Sequence, residues 1–169
     1  MKDILERRSI RKYTGQPVSV HDRDMLLRAA MAAPSAGNQQ PWEFIVIDDC
    51  ETLKTMIGFH EKGGYNMLGH SPLAIVVCGD LKRQLHEGYW IQDCSAAAEN
   101  ILIAAHSLGL GAVWLGAYPR QNRVAGIRRL LGIPEDVLPL CIISVGHPDE
   151  KKKPSDRYDI SRIHQNKWL

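Results

Sequence analysis

Two apolar spacings alternate along the chain, and they divide it into helices and strands. Ser19-Val20-His21-Asp22 has capping-box logic, a side-chain oxygen with a carboxylate three residues on, although Asp is shorter than the preferred Glu. The helix it opens carries Met25, Leu26, Ala29, Ala30 and Ala33 on one face, and Pro34 stops it. The longest periodic run is Trp90 to Leu108, with Ile91, Cys94, Ala98, Ile101, Leu102, Ala105 and Leu108 at helical spacing and Gly109 as a terminating residue. Its many alanines make this helix thin, so that another helix can approach closely. Further helices are predicted over Asp3–Lys12, Thr52–Glu61 and Asn122–Leu131. Short apolar, β-branched runs predict strands at Trp42–Ile47, Leu73–Gly79, Ala112–Leu115 and Leu140–Val145.

Helices alternating with buried strands make the fold α/β or α+β. The chain has 169 residues, the length of one domain on the usual scale of roughly 100–200 residues. The segment from about 148 to 169 is too polar to fold alone, yet Tyr158, Ile160, Ile163, Trp168 and Leu169 are apolar anchors. A tail of this kind either frays or packs along a partner subunit.

Composition narrows the class. Apolar residues are 44% and charged residues 24%, ordinary globular values that exclude disorder and fibrous architectures. Uncharged apolar stretches fall well short of the ~20 residues of a membrane span, and Glu6, Arg7 and Arg8 interrupt any leader-like opening. A soluble cytoplasmic protein is expected. Cys50, Cys78, Cys94 and Cys141 form no CxxC pair, and no cluster has metal-ligand spacing, so no metal is expected.

The net charge of +2 argues against a nucleic-acid binder, but its distribution is uneven. Residues 1–12 carry five cations against two acids, and residues 149–169 six against four, so the body between them is acidic. Basic ends would make a local anion site if they met in space.

Phosphate-loop, dinucleotide-fingerprint and serine-elbow motifs are absent. Three other segments carry candidate chemistry. Arg7-Arg8-Ser9-Ile10-Arg11-Lys12-Tyr13 offers guanidinium and hydroxyl donors for a phosphate, or else is a solvated basic helix. Pro34-Ser35-Ala36-Gly37-Asn38-Gln39-Gln40-Pro41-Trp42 is a helix-to-strand loop whose small residues would let an aromatic ring lie against backbone. In Gly109-Leu110-Gly111-Ala112-Val113-Trp114-Leu115-Gly116, a helix cap leads into a strand, and Gly116 leaves room for a flat ligand to reach main-chain N–H.

In this order and spacing, the three segments resemble the FMN-dependent nitroreductase family, in particular its short single-domain members. The resemblance runs nearly end to end and includes LGIPEDVLPLCIISVGHP and the KKKPSDRYDISRIH tail. It implies a three-layer α+β fold, with a central mixed or antiparallel sheet flanked by helices. It further implies an intertwined homodimer with FMN at the subunit interface and the tail on the partner. By similarity, Arg7, Arg8 and Ser9 would meet the phosphate and ribityl side, joined by Arg157 or Lys153 from the tail. Arg11 would approach the flavin N1/O2 edge, and Asn66 the pyrimidine edge. Pro34, Ser35, Ala36 and Asn38 would come from the other subunit, and the Leu115-Gly116 backbone would lie near N5. The implied reaction passes hydride from NADH or NADPH to FMN and on to a small acceptor such as a nitroaromatic or quinone. No catalytic side chain is expected, because the chemistry is the cofactor's. The alternative reading is a flavin-storing or electron-transferring protein without nicotinamide turnover.

Overall fold

In the computed structural model, which describes residues 1–168, four strands form one antiparallel sheet in the order β1-β2-β4-β3. These are β1 (Trp42–Ile47), β2 (Leu73–Asp80), β3 (Gly111–Gly116) and β4 (Val137–Gly146). Both faces of β2 and β4 are buried, which explains why these strands read as continuous apolar runs instead of alternating ones. Leu73, Ile75 and Val77 point to one side of the sheet, and Ala74, Val76 and Cys78 to the other.

Helices cover both faces. On the first lie α2 (Val20–Met31) and α4 (Trp90–Ser107), whose Leu26, Ala30, Cys94, Ala98, Ile101 and Ala105 pack against Leu73, Ile75, Cys141 and Ile143. The predicted cap of α2 is present: Ser19 Oγ accepts from the Asp22 N–H at 3.0 Å and donates to its carboxylate at 2.7 Å. Asn100 of α4 donates to the Ala29 carbonyl of α2 at 2.9 Å, tying the two helices together. On the second face lie α3 (Cys50–Ile57) and α5 (Gln121–Leu131), with Leu53, Met56 and Ile127 against Val76, Val113, Leu115 and Ile142. This is the three-layer α+β arrangement that the resemblance implies, and its sheet is antiparallel throughout.

The first segment departs from expectation. Helix α1 covers only Lys2–Glu6, and residues 7–14 are not helical. The Ile10 N–H donates to the Ala112 carbonyl at 3.0 Å on the outer edge of β3. Tyr13 is buried, with its hydroxyl 2.9 Å from the Ile10 carbonyl. A helix through Lys12 would forfeit both anchors, so pairing with the sheet edge overrides helix periodicity. The chain after β4 runs back along this segment: Thr14 N–H meets the His147 carbonyl at 3.0 Å, and Asp149 N–H the Lys12 carbonyl at 2.9 Å. From residue 151 the tail is almost wholly exposed, including Tyr158, Ile160, Ile163 and Trp168. The expected anchor Leu169 lies outside the described residues.

Candidate functional site

The two basic ends do meet. Arg8 Nε donates to the Lys153 carbonyl at 3.1 Å, and its Nη1 hydrogen-bonds the Arg7 carbonyl. Lys152 Nζ reaches the Ser9 carbonyl at 2.6 Å and the Glu150 carboxylate at 3.1 Å. Glu150 in turn accepts from the Arg11 main-chain N–H at 2.6 Å, which, with Lys152, holds its carboxyl below the usual carboxylate range. Residues 7–14 and 147–153 thus form a two-stranded strap fastened by backbone bonds, by the Arg8 and Lys152 side chains on facing carbonyls, and by the Glu150 carboxylate.

What the strap leaves open matters most. Arg7 Nε and Arg8 Nη2 are buried yet have no hydrogen-bond partner. Arg7 Nε has only the Glu99 carboxylate at 3.5 Å, an ion pair without a hydrogen bond. A buried unsatisfied guanidinium N–H costs about 1–3 kcal/mol or more, so these groups call for an anion. Arg7 and Arg8 line a hollow of about 540 Å³ together with Arg157, Ser155 and Tyr158 of the tail. They also line a second hollow of about 330 Å³ with Lys151 and Lys152. The Lys153 and Arg11 side chains are exposed, Arg11 with one long contact of 3.5 Å to the Ser9 carbonyl.

The loop at residues 34–41 is organised differently. Gly37, Asn38 and Gln40 all have positive φ (54°, 56° and 45°), a conformation that costs non-glycine residues energy unless it is held. It is held by Asp93 of α4, which is 4% exposed. Asp93 accepts from the Ala36 N–H at 2.9 Å and from Gln39 Nε2 at 2.6 Å. The Gln39 side-chain oxygen Oε1 then accepts from the Leu85 and His86 N–H groups at 2.7 and 3.0 Å, and Ser35 Oγ takes the Gln40 N–H at 3.0 Å. Pro34, Ser35 and Ala36 line a shallow hollow of about 300 Å³ with Tyr89 and Asp93, and Asn38 is exposed at the loop tip. Within one chain, this hollow is separate from those lined by Arg7 and Arg8.

A third corner lies at the end of β3, where Leu115 is buried and Gly116 half-buried. A methyl group built on Gly116 would meet nothing within 4 Å, so open space faces this residue. The Gly116 carbonyl accepts from the Tyr65 hydroxyl at 2.7 Å, and Asn66 follows Tyr65 with its side chain exposed against Gly63. The motif pattern pointed to neither Tyr65 nor Asp93. Each acts through a partner more than fifty residues away, and only the fold brings them together.

The three buried thiols are not set up as nucleophiles. Burial pushes Cys78 up to about 12 and raises Cys94 and Cys141, which keeps all three protonated. All four cysteines are free. Among the described residues, no group of three or more His, Cys, Asp or Glu could hold a metal ion, and no helix is long and apolar enough to cross a membrane.

A basic strap with unpartnered donors on the edge strand that ends in the open space at Gly116, on a three-layer α+β scaffold, suits a phosphate-bearing flat cofactor, and comparison with known proteins agrees. The chain belongs to the nitroreductase family, whose model matches residues 4–59 and 55–147. An Archaeoglobus fulgidus protein named "Putative NADH dehydrogenase/NAD(P)H nitroreductase" is 48% identical over 99% of this chain and 98% of its own length. The solved FMN-dependent nitroreductase from Clostridium difficile superposes with a TM-score of 0.93 at 38% identity, covering 99% of this chain and 100% of that one. The NADPH:FMN oxidoreductase from Vibrio harveyi, solved with NAD+, gives a TM-score of 0.86 at 28% identity over 99% of this chain and 77% of its own.

Proposed function

We propose that this protein is an FMN-dependent NAD(P)H oxidoreductase that reduces a nitroaromatic, quinone or similar small acceptor. The observation that carries the reading is the pair of buried, unpartnered guanidinium nitrogens on Arg7 and Arg8, in a chain of this family. Donors of that kind match a phosphate monoester, and Arg157 shares their hollow. Bound FMN supplies the redox chemistry, taking hydride from a nicotinamide and passing it on.

The chain's own residues bind and orient. Arg7, Arg8 and Arg157 hold the phosphate, with Lys153 beside them, and Ser9 serves the ribityl side. Arg11 brings a positive charge towards the ring edge where negative charge accumulates on reduction, favouring that state electrostatically. Asn66 and the Leu115-Gly116 main chain flank the ring. Pro34, Ser35, Ala36 and Asn38 complete the site from a second copy of the chain. Two facts support a homodimer: these loop residues and the basic strap line separate hollows in one chain, and Met25, Met31, Tyr158, Ile160, Ile163 and Trp168 expose apolar surface. The whole chain then acts as one FMN-binding domain, with residues 148–169 packed on the partner. The reduced cysteines and nicotinamide donor fit a cytoplasmic setting.

The test is an anaerobic spectrophotometric titration of the FMN-loaded protein with NADH and then NADPH. Bleaching of bound flavin at stoichiometric donor is the expected result. A yellow protein that stays oxidised would point to a flavin store or a protein electron donor, and a chain unable to retain FMN would sink the proposal.

A further inference from the structure

Gly116 sits at the end of an edge strand, where a sheet ordinarily frays. It has no side chain to restrict its backbone, and the space in front of it is open. Its position is nevertheless defined by two donors from outside the sheet. The Tyr65 hydroxyl donates to the Gly116 carbonyl at 2.7 Å, and Arg123 Nη1 donates to the same oxygen at 3.0 Å. The Arg123 guanidinium also lies 5.7 Å from the centre of the Tyr65 ring, so that the two donors brace one another. Tyr65 is 1% exposed and immobilised by packing, whereas Arg123 is half-buried in the first turn of α5.

The ladder shows which way the residue faces. Ala117 N–H bonds to the Leu140 carbonyl of β4 at 3.0 Å, so residue 117, and by alternation 115 and 113, turn their polar groups towards β4. Residues 112, 114 and 116 turn theirs outward. The Ile10 N–H on the outer side of the Ala112 carbonyl agrees with that phase. In an extended residue, N–H and C=O point to the same side. The Gly116 N–H therefore emerges at the sheet edge next to a carbonyl already held by two donors, and the face of the residue where a side chain would stand is open.

We propose that Tyr65 and Arg123 are positioning residues for the redox cofactor, clamping the Gly116 carbonyl so that the neighbouring Gly116 N–H is held towards the ring edge, with the Arg123 charge favouring the reduced state. The proposal rests on the flavin reading given above. Glycine at this position lets a planar group approach; the ladder bonds of residues 115 and 117 hold its two peptide units from the β4 side, and the clamp holds them from the outer side. Burial pushes the Tyr65 hydroxyl up to about 12, so it stays a donor across the neutral range. The Arg123 guanidinium also places its positive charge 3.0 Å from the Gly116 carbonyl oxygen, at the same strand end.

The experiment uses the full-length, FMN-loaded protein and the variants Tyr65→Phe, Arg123→Gln and Arg123→Lys. It measures FMN affinity, the midpoint potential of bound FMN, the single-turnover rate of its reduction by the nicotinamide donor, and the donor KM. Tyr65→Phe and Arg123→Gln should shift the potential in the negative direction and slow reduction about tenfold, well short of the roughly hundredfold that an ångström of misplacement can cost. The donor KM should stay within about twofold, because the clamp does not touch the donor. Arg123→Lys keeps the charge but not the fork, and should recover the potential more fully than the rate. Wild-type potential and rate in Tyr65→Phe and Arg123→Gln at full FMN occupancy would overturn the clamp. Should Tyr65→Phe fail to fold, the two Arg123 variants decide the matter from a half-exposed position. Failure of the unaltered protein to take up FMN is a separate result that removes the flavin reading, and the clamp falls with it.

Discussion

The loop at residues 34–41 and the strap made by residues 7–14 with 147–153 would both touch the cofactor, yet they are held in opposite ways. The loop closes on itself. Its polar groups converge on the buried carboxylate of Asp93 and on Gln39, which is 8% exposed and uses both ends of its amide. The strap is fastened by main-chain bonds, by Arg8 and Lys152 on facing carbonyls and by Glu150, while two buried guanidinium nitrogens are left without hydrogen-bond partners. The loop is therefore preorganised by its own chain. The strap stores unsatisfied donors, and it is there that an anion contributes most.

Breaking the loop should give the largest effect. Asp93→Ala leaves the Ala36 N–H and Gln39 Nε2 buried without their acceptor and releases three positive-φ residues from their restraint. We expect a loss of about 3 kcal/mol in folding stability, read from urea unfolding. FMN should not restore it, because the defect lies in the chain. Asp93→Asn sharpens the point: one oxygen can still accept from Ala36, but its amide then faces the Gln39 amide donor to donor. Unaltered stability in both variants would mean that the carboxylate does not hold the loop.

Arg7→Ala tests the strap and should behave in the reverse manner. Removing a guanidinium that is only loosely paired with Glu99 should change the stability of the cofactor-free protein by no more than about 0–1 kcal/mol. FMN affinity should instead fall roughly 10–100-fold, the worth of one or two hydrogen bonds to a charged group. The deficit should shrink as salt is raised and screens the wild-type site. Isothermal titration at two ionic strengths checks both statements, and equal affinities would remove Arg7 from the phosphate site.

The same two regions show what a sequence can reveal. The strands were legible because β2 and β4 are buried on both faces, which demands unbroken apolar runs. The Ser19 cap and the periodicity of α4 depend on residues a few positions apart and were equally readable. The segment from Arg7 to Lys12 was misread as helix because its fate depends on β3, a hundred residues further on. In the sequence, Asp93 is one polar position on an amphipathic helix and Arg123 one cation on α5. Their meaning comes from the Ala36 N–H and the Gly116 carbonyl, which local spacing cannot register. The anion-seeking chemistry of the two ends was visible as charge, but their meeting became evident only when Lys152, Lys153 and Glu150 were found on residues 8–11.

The smallest effect concerns Glu150, the carboxylate that pins the strap. Its pKa lies below the usual value of 4.5 in the folded protein, first because of the Arg11 N–H and then, after an opposing burial effect, because of Lys152. A depressed carboxylate pKa contributes stability that is fully present above the unfolded value of 4.5. That stability drains away as pH falls from there through the lower folded value. Above pH 6 the strap should therefore be insensitive to pH, and loosening should begin only on the acid side of about 5. Glu150→Gln keeps an acceptor for Arg11 but loses the charge facing Lys152, so it should remove that acid-side dependence and cost under about 1 kcal/mol at neutral pH. Amide hydrogen exchange at Arg11 and Asp149 reports the strap directly. Faster exchange in the wild type as pH falls below about 5, beyond the intrinsic pH dependence of exchange and absent in Glu150→Gln, is the expected pattern. The loop should show no counterpart in this window from any Glu150 titration, because its bonds to Asp93 do not involve the strap. Parallel loosening of Ala36 and Arg11 would show that the two regions are coupled instead of independently held.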